Sequence, residues 1–387
     1  MLATITTPPI MLIGGGATTQ LAEVLAKLSR AKPLIVTDPF MRDSGKLGAI
    51  TDVLDSAGIT WQVFADTVPE PTDDVVVTGT DIIRAGDFDC LIALGGGSPI
   101  DTAKAMSLLA HGGGTVRDYK VPNQPNEQGL PVIAIPTTAG TGSEVTKVTV
   151  ITDKSNDEKM LIMGLGCLPA AAIVDYELTY SVPYRTTADT GLDSLTHALE
   201  AYVSAKHNPY TDTLALSAMS LIAKNIRRAC DEPDYSPARE AMMLAATQGG
   251  MAFSNASVCL VHGMSRPIGA FFHVAHGLSN AMLLPTITAF SAPAAMERYA
   301  DCARAMGLAS SHTNAENAVA SLIAELRQLN IDLQVPSPRS YGIDENKYFS
   351  LLPTMAEQAL ASGSPNNNPR VPSAEEITQL YREAWNG

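Results

Sequence analysis

Leu91-Ile-Ala-Leu-Gly-Gly-Gly-Ser-Pro-Ile-Asp-Thr-Ala-Lys104 decides the fold. An apolar run of strand character enters Gly95-Gly96-Gly97 and leaves as a helix begun near Pro99, a residue suited to the first helical turn. Glycines at a strand-to-helix turn let the backbone approach a pyrophosphate closely, and the helix start offers free N–H groups and a positive dipole end. The alternative is a tight turn with no ligand. The stretch is not the GxGxxG dinucleotide fingerprint, because Ile100 stands where its last glycine belongs, and Gly14-Gly15-Gly16 fails the same test at Thr19. A second polar loop, Pro136-Thr-Thr-Ala-Gly-Thr-Gly-Ser-Glu144, also follows a strand and presents hydroxyls and flexible backbone to the same phosphates or ribose.

Outward from this stretch, short β-branched runs alternate with amphipathic segments. Ile10–Ile13, Leu34–Thr37, Gln62–Ala65, Leu91–Leu94 and Val132–Ile135 read as buried strands, with helices near 17–30, 41–57, 73–85 and 99–110. Strict alternation predicts a parallel sheet with helical crossovers. Residues 144–152 alternate at period two and predict an antiparallel strand. Beyond Pro183 the chain turns rich in Ala, Leu and Met with helical periodicity, and Thr186-Thr187-Ala188-Asp189 offers caps for a helix carrying Leu192–Tyr202. Pro233–Pro237 and Ser362–Pro372 read as mobile surface segments. Asp38 ends the second predicted strand. Its carboxylate either accepts from ribose hydroxyls, which favours NAD over NADP, or caps the helix that Pro39 opens.

The chain has 387 residues, enough for two domains; 45% are hydrophobic and 17% charged, the balance of a globular protein with a large core. A formal net charge of −14 without a basic cluster disfavours nucleic-acid binding. Five scattered cysteines, none in a CxxC pair, predict reduced thiols and a cytoplasmic protein. No apolar stretch approaches the ~20 residues of a membrane helix.

The helical half carries the sharper chemistry. Gly191-Leu-Asp-Ser-Leu-Thr-His-Ala-Leu-Glu200 sets Asp193 and His197 a turn apart on one helix face. His262 and His276 follow, and three imidazoles with one carboxylate suit a borderline divalent ion such as Fe(II) or Zn(II). A histidine on an apolar helix is more often a satisfied core residue. A lone buried carboxylate such as Asp193, however, costs several kcal/mol unless paired or metal-bound.

Gly95–Lys104, Pro136–Thr146, Gly191–Glu200 and His262–Pro285 together resemble the iron-containing (group III) alcohol dehydrogenases, in that family's order and spacing over essentially the whole chain. The resemblance implies a dehydroquinate synthase-like fold: an α/β N-terminal nucleotide-binding domain, here residues 1–183, plus an all-α C-terminal domain, residues 184–387. It implies Asp193, His197, His262 and His276 as metal ligands. It also implies Gly96, Gly97, Ser98, Asp101, Thr137, Thr138 and Thr141 as cofactor contacts, with Val148, Lys159 and Leu178 as outer contacts.

This chain departs from the family at Arg266, where many members have a second histidine, at Glu70 for the usual Asn, and at Ala275 for a common Pro. Arg266 removes one relay histidine and places a cation that suits a carboxylate-bearing substrate. His273 either passes the proton to solvent or is structural. The implied activity is hydride exchange between a small alcohol (or hydroxy acid) and NAD, by a homodimer or higher homo-oligomer. The rival readings are a metal-dependent lyase of the same fold that uses NAD transiently, and a nucleotide-binding protein without catalysis.

Overall fold

The structure is a computed structural model that describes residues 2–156 and 158–387. Two compact units divide the chain, Thr6–Val182 and Pro183–Gly387 with the residues up to Ile5. The first unit runs β1 (Ile10–Ile13), α1 (Leu21–Lys27), β2 (Pro33–Val36), α2 (Pro39–Asp43), α3 (Gly48–Ser56), β3 (Gln62–Phe64), α4 (Asp73–Ala85), β4 (Cys90–Gly95), α5 (Gly97–Gly112), β5 (Val132–Pro136), β6 (Val148–Asp153), β7 (Glu158–Met163) and β8 (Ala171–Val174).

Six strands form one parallel sheet in the order β1-β8-β5-β4-β2-β3. Alternate residues of each strand feed opposite cores, as the period of two requires. Leu34, Val36, Leu91, Ala93, Val132 and Ala134 pack with Val76, Ile83, Ile100 and Met106 of α4 and α5. Ile35, Cys90, Ile92, Leu94, Ile133 and Ile135 pack on the other face with Leu21, Leu25, Ile50 and Leu54 of α1 and α3. The inner strands β2, β4 and β5 are covered on both faces and read as continuous apolar runs. β1 and β3, expected as buried strands, form the sheet edges and stay partly exposed, at Ile13 in β1 and at Gln62 and Val63 in β3.

The expected alternating strand is β6, shortened because Ser143–Val145 forms a 3₁₀ turn, and it pairs antiparallel with β7. Two strands lie outside the sequence reading: β7, and the buried Ala171-Ala-Ile-Val174 of β8, which inserts between β1 and β5.

The second unit is helical: α6 (Tyr184–Val203), α7 (Pro209–Asp231), α8 (Ser236–Ala256), α9 (Leu260–Phe272), α10 (His276–Ser291), α11 (Met296–Ala305), α12 (Ala315–Asp332), α13 (Pro338–Tyr341), α14 (Glu345–Ala361) and α15 (Ala374–Ala384). α6 starts earlier than the expected caps at Thr186–Asp189. Pro183 takes the N-cap position, and inside the helix Arg185 ion-pairs with Asp189 at i,i+4, 2.5 Å apart. Ser362–Pro372 is not a loose surface segment. The backbone carbonyl of buried Asn367 accepts from Ala205 N–H at 2.8 Å, and buried Asn368 donates to Ser291 Oγ at 2.9 Å. All five cysteines are buried and free. No helix among the described residues is long and apolar enough to cross a membrane.

Candidate metal centre and cofactor loops

β4 delivers the chain to the glycine turn. Gly95 has φ 148°, and a Cβ there would meet Pro99 Cγ at 2.6 Å, so only glycine fits. α5 begins at Gly97, two residues before Pro99, and no side chain caps it, which leaves its first N–H groups for a ligand. The second loop closes over the first. A Cβ on Gly96 would lie 3.4 Å from Thr138 Oγ1, and one on Gly97 would lie 3.0 Å from Thr141 Cγ2. Thr137 is buried and its N–H donates to Gly95 O at 2.9 Å. The structure therefore brings Gly96, Gly97, Ser98, Thr137, Thr138 and Thr141 to one place at the carboxyl end of β4 and β5, where open parallel sheets hold ligands.

What positions this second loop was missing from the sequence reading. Lys104 is fully buried, and its Nζ donates to Ser143 O (2.7 Å), Thr146 O (3.0 Å) and Val148 O (2.8 Å), with the Ser143 and Thr146 hydroxyls at 3.2 and 3.1 Å. Asp101 accepts from Ser143 Oγ at 2.6 Å and from Val150 N–H at 2.9 Å. Burial lowers the Lys104 pKa against the pull of Asp101, and burial raises that of Asp101. The two side chains thus tie α5 to the 143–150 segment.

The outer positions are also engaged. Val148 is half-buried at the start of β6, and Leu178 packs on the α1/α3 core. Lys159 Nζ pairs with Glu70 Oε1 at 2.6 Å. Asp38 is the N-cap of α2, its Oδ1 accepting from Met41 N–H at 2.8 Å, while Oδ2 has no hydrogen bond or ion pair among the described residues.

In the helical unit, α6 supplies Asp193 and His197, α9 supplies His262, and His276 is the first residue of α10. Their ligating atoms all lie within 4.8 Å of one another. The Nε2 atoms of His197, His262 and His276 stand 3.8, 3.7 and 3.7 Å from Asp193 Oδ1. Ligands bonded at 2.0–2.2 Å around a tetrahedral ion are separated by about 3.3–3.6 Å, so the four side chains fit a divalent metal after a small contraction. Burial pushes the His262 pKa well below that of ordinary imidazole, the neutral form that ligates. Burial works to raise Asp193, but the three imidazoles and Asn280 outweigh it and hold the carboxylate below its usual range.

Two neighbours of the ligands went unremarked in the sequence. Asn280, one turn past His276, donates from Nδ2 to Asp193 Oδ1 at 2.7 Å. Glu200, buried to 2% exposure, places Oε2 2.7 Å from His262 Nδ1. Burial pushes its carboxyl up to about 7, against the N–H donors of Cys259 and Val261. A signal for Glu200 was present: it stands seven residues after Asp193, on the same helix face, in an equally apolar stretch.

Arg266 lies one turn after His262, half-buried, with no ion pair or hydrogen bond among the described residues; burial lowers its pKa and Glu200 opposes this. His273 is exposed and terminates α9 in the left-handed region, φ 54°, its N–H donating to Gly269 O at 2.9 Å.

Two sequence patterns match the chain: "Iron-containing alcohol dehydrogenase" over residues 8–176 and "Fe-containing alcohol dehydrogenase family, C-terminal" over 187–385. A NAD-dependent methanol dehydrogenase of Bacillus methanolicus is 35% identical over 378 residues, covering 97% of this chain and 98% of that one. The crystal structure of a 1,3-propanediol oxidoreductase superposes with a TM-score of 0.95 at 34% identity, covering 99% of this chain and 100% of that one. A sulfoacetaldehyde reductase of Bifidobacterium kashiwanohense, solved in complex with NAD+, superposes with a TM-score of 0.89 at 29% identity, covering 99% of both chains. Each half of the sequence matches the corresponding half of one family, and a relative aligned nearly end to end leaves little outside the match: the chain belongs to the iron-containing alcohol dehydrogenases.

Proposed function

We propose that the chain interconverts a small alcohol carrying an anionic or hydroxylated far end with its aldehyde or ketone, using NAD as hydride partner. As a member of its family it is a metal-dependent, NAD-linked alcohol dehydrogenase. The observation that carries the reading is the convergence of Asp193, His197, His262 and His276. When bound, Fe(II) or Zn(II) supplies Lewis acidity toward a substrate oxygen, and NAD supplies the hydride acceptor. Asp193 is the single carboxylate of the ligand set, so these side chains neutralise only half of a divalent charge and preserve an electrophilic pole.

In the α/β unit, Gly96, Gly97 and the α5 N-terminus hold the pyrophosphate, while Ser98, Thr137, Thr138 and Thr141 present hydroxyls and N–H groups. Asp38 uses its free Oδ2 for the adenosine ribose. Val148, Lys159 and Leu178 border the cofactor, and Asp101 acts through Ser143. Arg266 reads the far end of the substrate. That sulfoacetaldehyde reductase shares the fold shows that it accommodates an enzyme named for an anionic aldehyde. His273, at the exposed end of α9, carries protons to solvent. Acidic charge and free thiols favour the cytoplasm, and a homodimer or higher homo-oligomer is the assembly that sedimentation should find.

The test is reconstitution. Protein stripped by a chelator and reloaded with Fe(II) or Zn(II) should produce NADH from alcohols only in the loaded form. A lyase that regenerates its NAD would accumulate none. His262→Ala should abolish turnover and leave NADH binding near its original affinity; loss of both together would refute the division of labour between the two units.

A further inference from the structure

We infer that Glu200 is the positioning residue of the metal centre: its carboxylate fixes the tautomer and ring plane of His262 while capping the helix that carries it. The inference rests on the metal-centre assignment above. Glu200 Oε2 lies 2.7 Å from His262 Nδ1 and also accepts the Cys259 N–H at 2.8 Å, and Oε1 accepts the Val261 N–H at 2.6 Å. Cys259 is the N-cap of α9 and caps nothing with its own side chain, so Glu200 satisfies the helix start from another element.

Each Glu200 oxygen already accepts a backbone N–H, Oε2 from Cys259 and Oε1 from Val261, so the carboxyl group faces the ring as an acceptor and the proton of the neutral His262 ring sits on Nδ1. Nε2 is then the lone-pair atom, facing the Asn280 amide at 3.2 Å and lying 3.7 Å from Asp193 Oδ1. His197 has no equivalent device, since its Nδ1 lacks a hydrogen-bond partner among the described residues. One face of α6 thereby contributes two ligands, Asp193 and His197, and the orienter of a third. A carboxylate behind a ligating imidazole raises its basicity and holds its angle; removing such a partner typically weakens metal binding about 10–100-fold.

Glu200→Gln keeps the shape of the side chain but leaves one amide oxygen for three donors. With the oxygen at the Oε1 position it keeps only the Val261 N–H and sets the NH₂ against Cys259 N–H and His262 Nδ1; with the oxygen at the Oε2 position it is a neutral acceptor that no longer raises the basicity of the ring. The expected result is a folded protein with unchanged NADH affinity, about 10–100-fold weaker Zn(II) binding against a competing chelator, and a shifted Co(II) absorption spectrum. A folded Glu200→Gln protein with the original Zn(II) affinity and Co(II) spectrum overturns the inference.

A second measurement needs no variant. With seven histidines in the chain, ¹⁵N-histidine spectra of the Zn(II)-loaded wild type should report a protonated Nδ1 for His262. A deprotonated Nδ1 overturns the inference even if Glu200→Gln fails to fold. If the wild type itself binds neither Zn(II) nor Co(II), the failure belongs to the metal-centre reading instead.

Discussion

Arg266 is a half-buried cation with no ion pair or hydrogen bond among the described residues, one turn from the candidate ligand His262, and such a group is retained at a cost unless something anionic meets it. Restoring histidine by Arg266→His should lower kcat/KM for hydroxy acids or semialdehydes by about 10–100-fold, the worth of a lost charge-assisted pair, and leave short plain alcohols within a few-fold. Equal losses across all substrates would make Arg266 scaffolding.

The two roles weighed for Asp38 do not compete in space: Oδ1 caps α2, and Oδ2, without a hydrogen bond among the described residues, is left for the proposed ribose contact. Asp38→Gly keeps most of the capping, since glycine costs only tenths of a kcal/mol there. Removing the carboxylate should raise NADP efficiency about tenfold by relieving like-charge repulsion. Equal use of NAD and NADP by the unmodified enzyme would contradict this. Glu70 also gains a reason: its φ of 54° is the left-handed region where the family's usual asparagine is at ease, and here Lys159 pins the less suited glutamate.

At the scale of elements, the β6/β7 ribbon and the polar loop depend on α5 through Lys104. Lys104→Met strands several buried acceptors and leaves Asp101 without its cation. It should destabilise the α/β unit by about 2–4 kcal/mol in urea and weaken NAD binding, with metal affinity in the helical unit unchanged. Weakened metal binding would contradict that confinement.

This clamp shows where sequence reading stops. Gly95-Gly96-Gly97 was legible because backbone need is written in glycine itself. Asp193 and His197 were legible because their spacing matches one helical turn. Lys104 touches the 143–148 segment, and a partner so distant in sequence leaves no local period; spacing from Asp193 put Glu200 on the ligand face, but nothing local tied it to His262. β8 escaped because four small apolar residues do not distinguish a strand from a buried connection. Ser362–Pro372 misled because its asparagines look solvent-seeking, yet the amides of Asn367 and Asn368 are satisfied inside the helical unit while Asn366 stays exposed.

At the scale of the whole molecule, each unit carries its own reporter. The two tryptophans are Trp61 in the α/β unit and Trp385, packed 4.7 Å from Tyr348, in the helical one. In a Trp61→Phe background, chelation should lower the Trp385 unfolding midpoint. Metal at a thousandfold above its Kd should restore about 4 kcal/mol. A midpoint indifferent to chelator would mean that the ion adds nothing to the native state of that unit.

The ligands of the centre come from three separate helices, and no disulfide joins any part of the described chain. In polymer terms the ion is therefore a removable cross-link that closes one long loop from His197 to His262 and a short one from there to His276. Such closures lower the entropy of the open chain more as the loop lengthens. A cell short of metal would then hold a chain that is less catalytic and also less tethered, with its helical half exposed to proteases first.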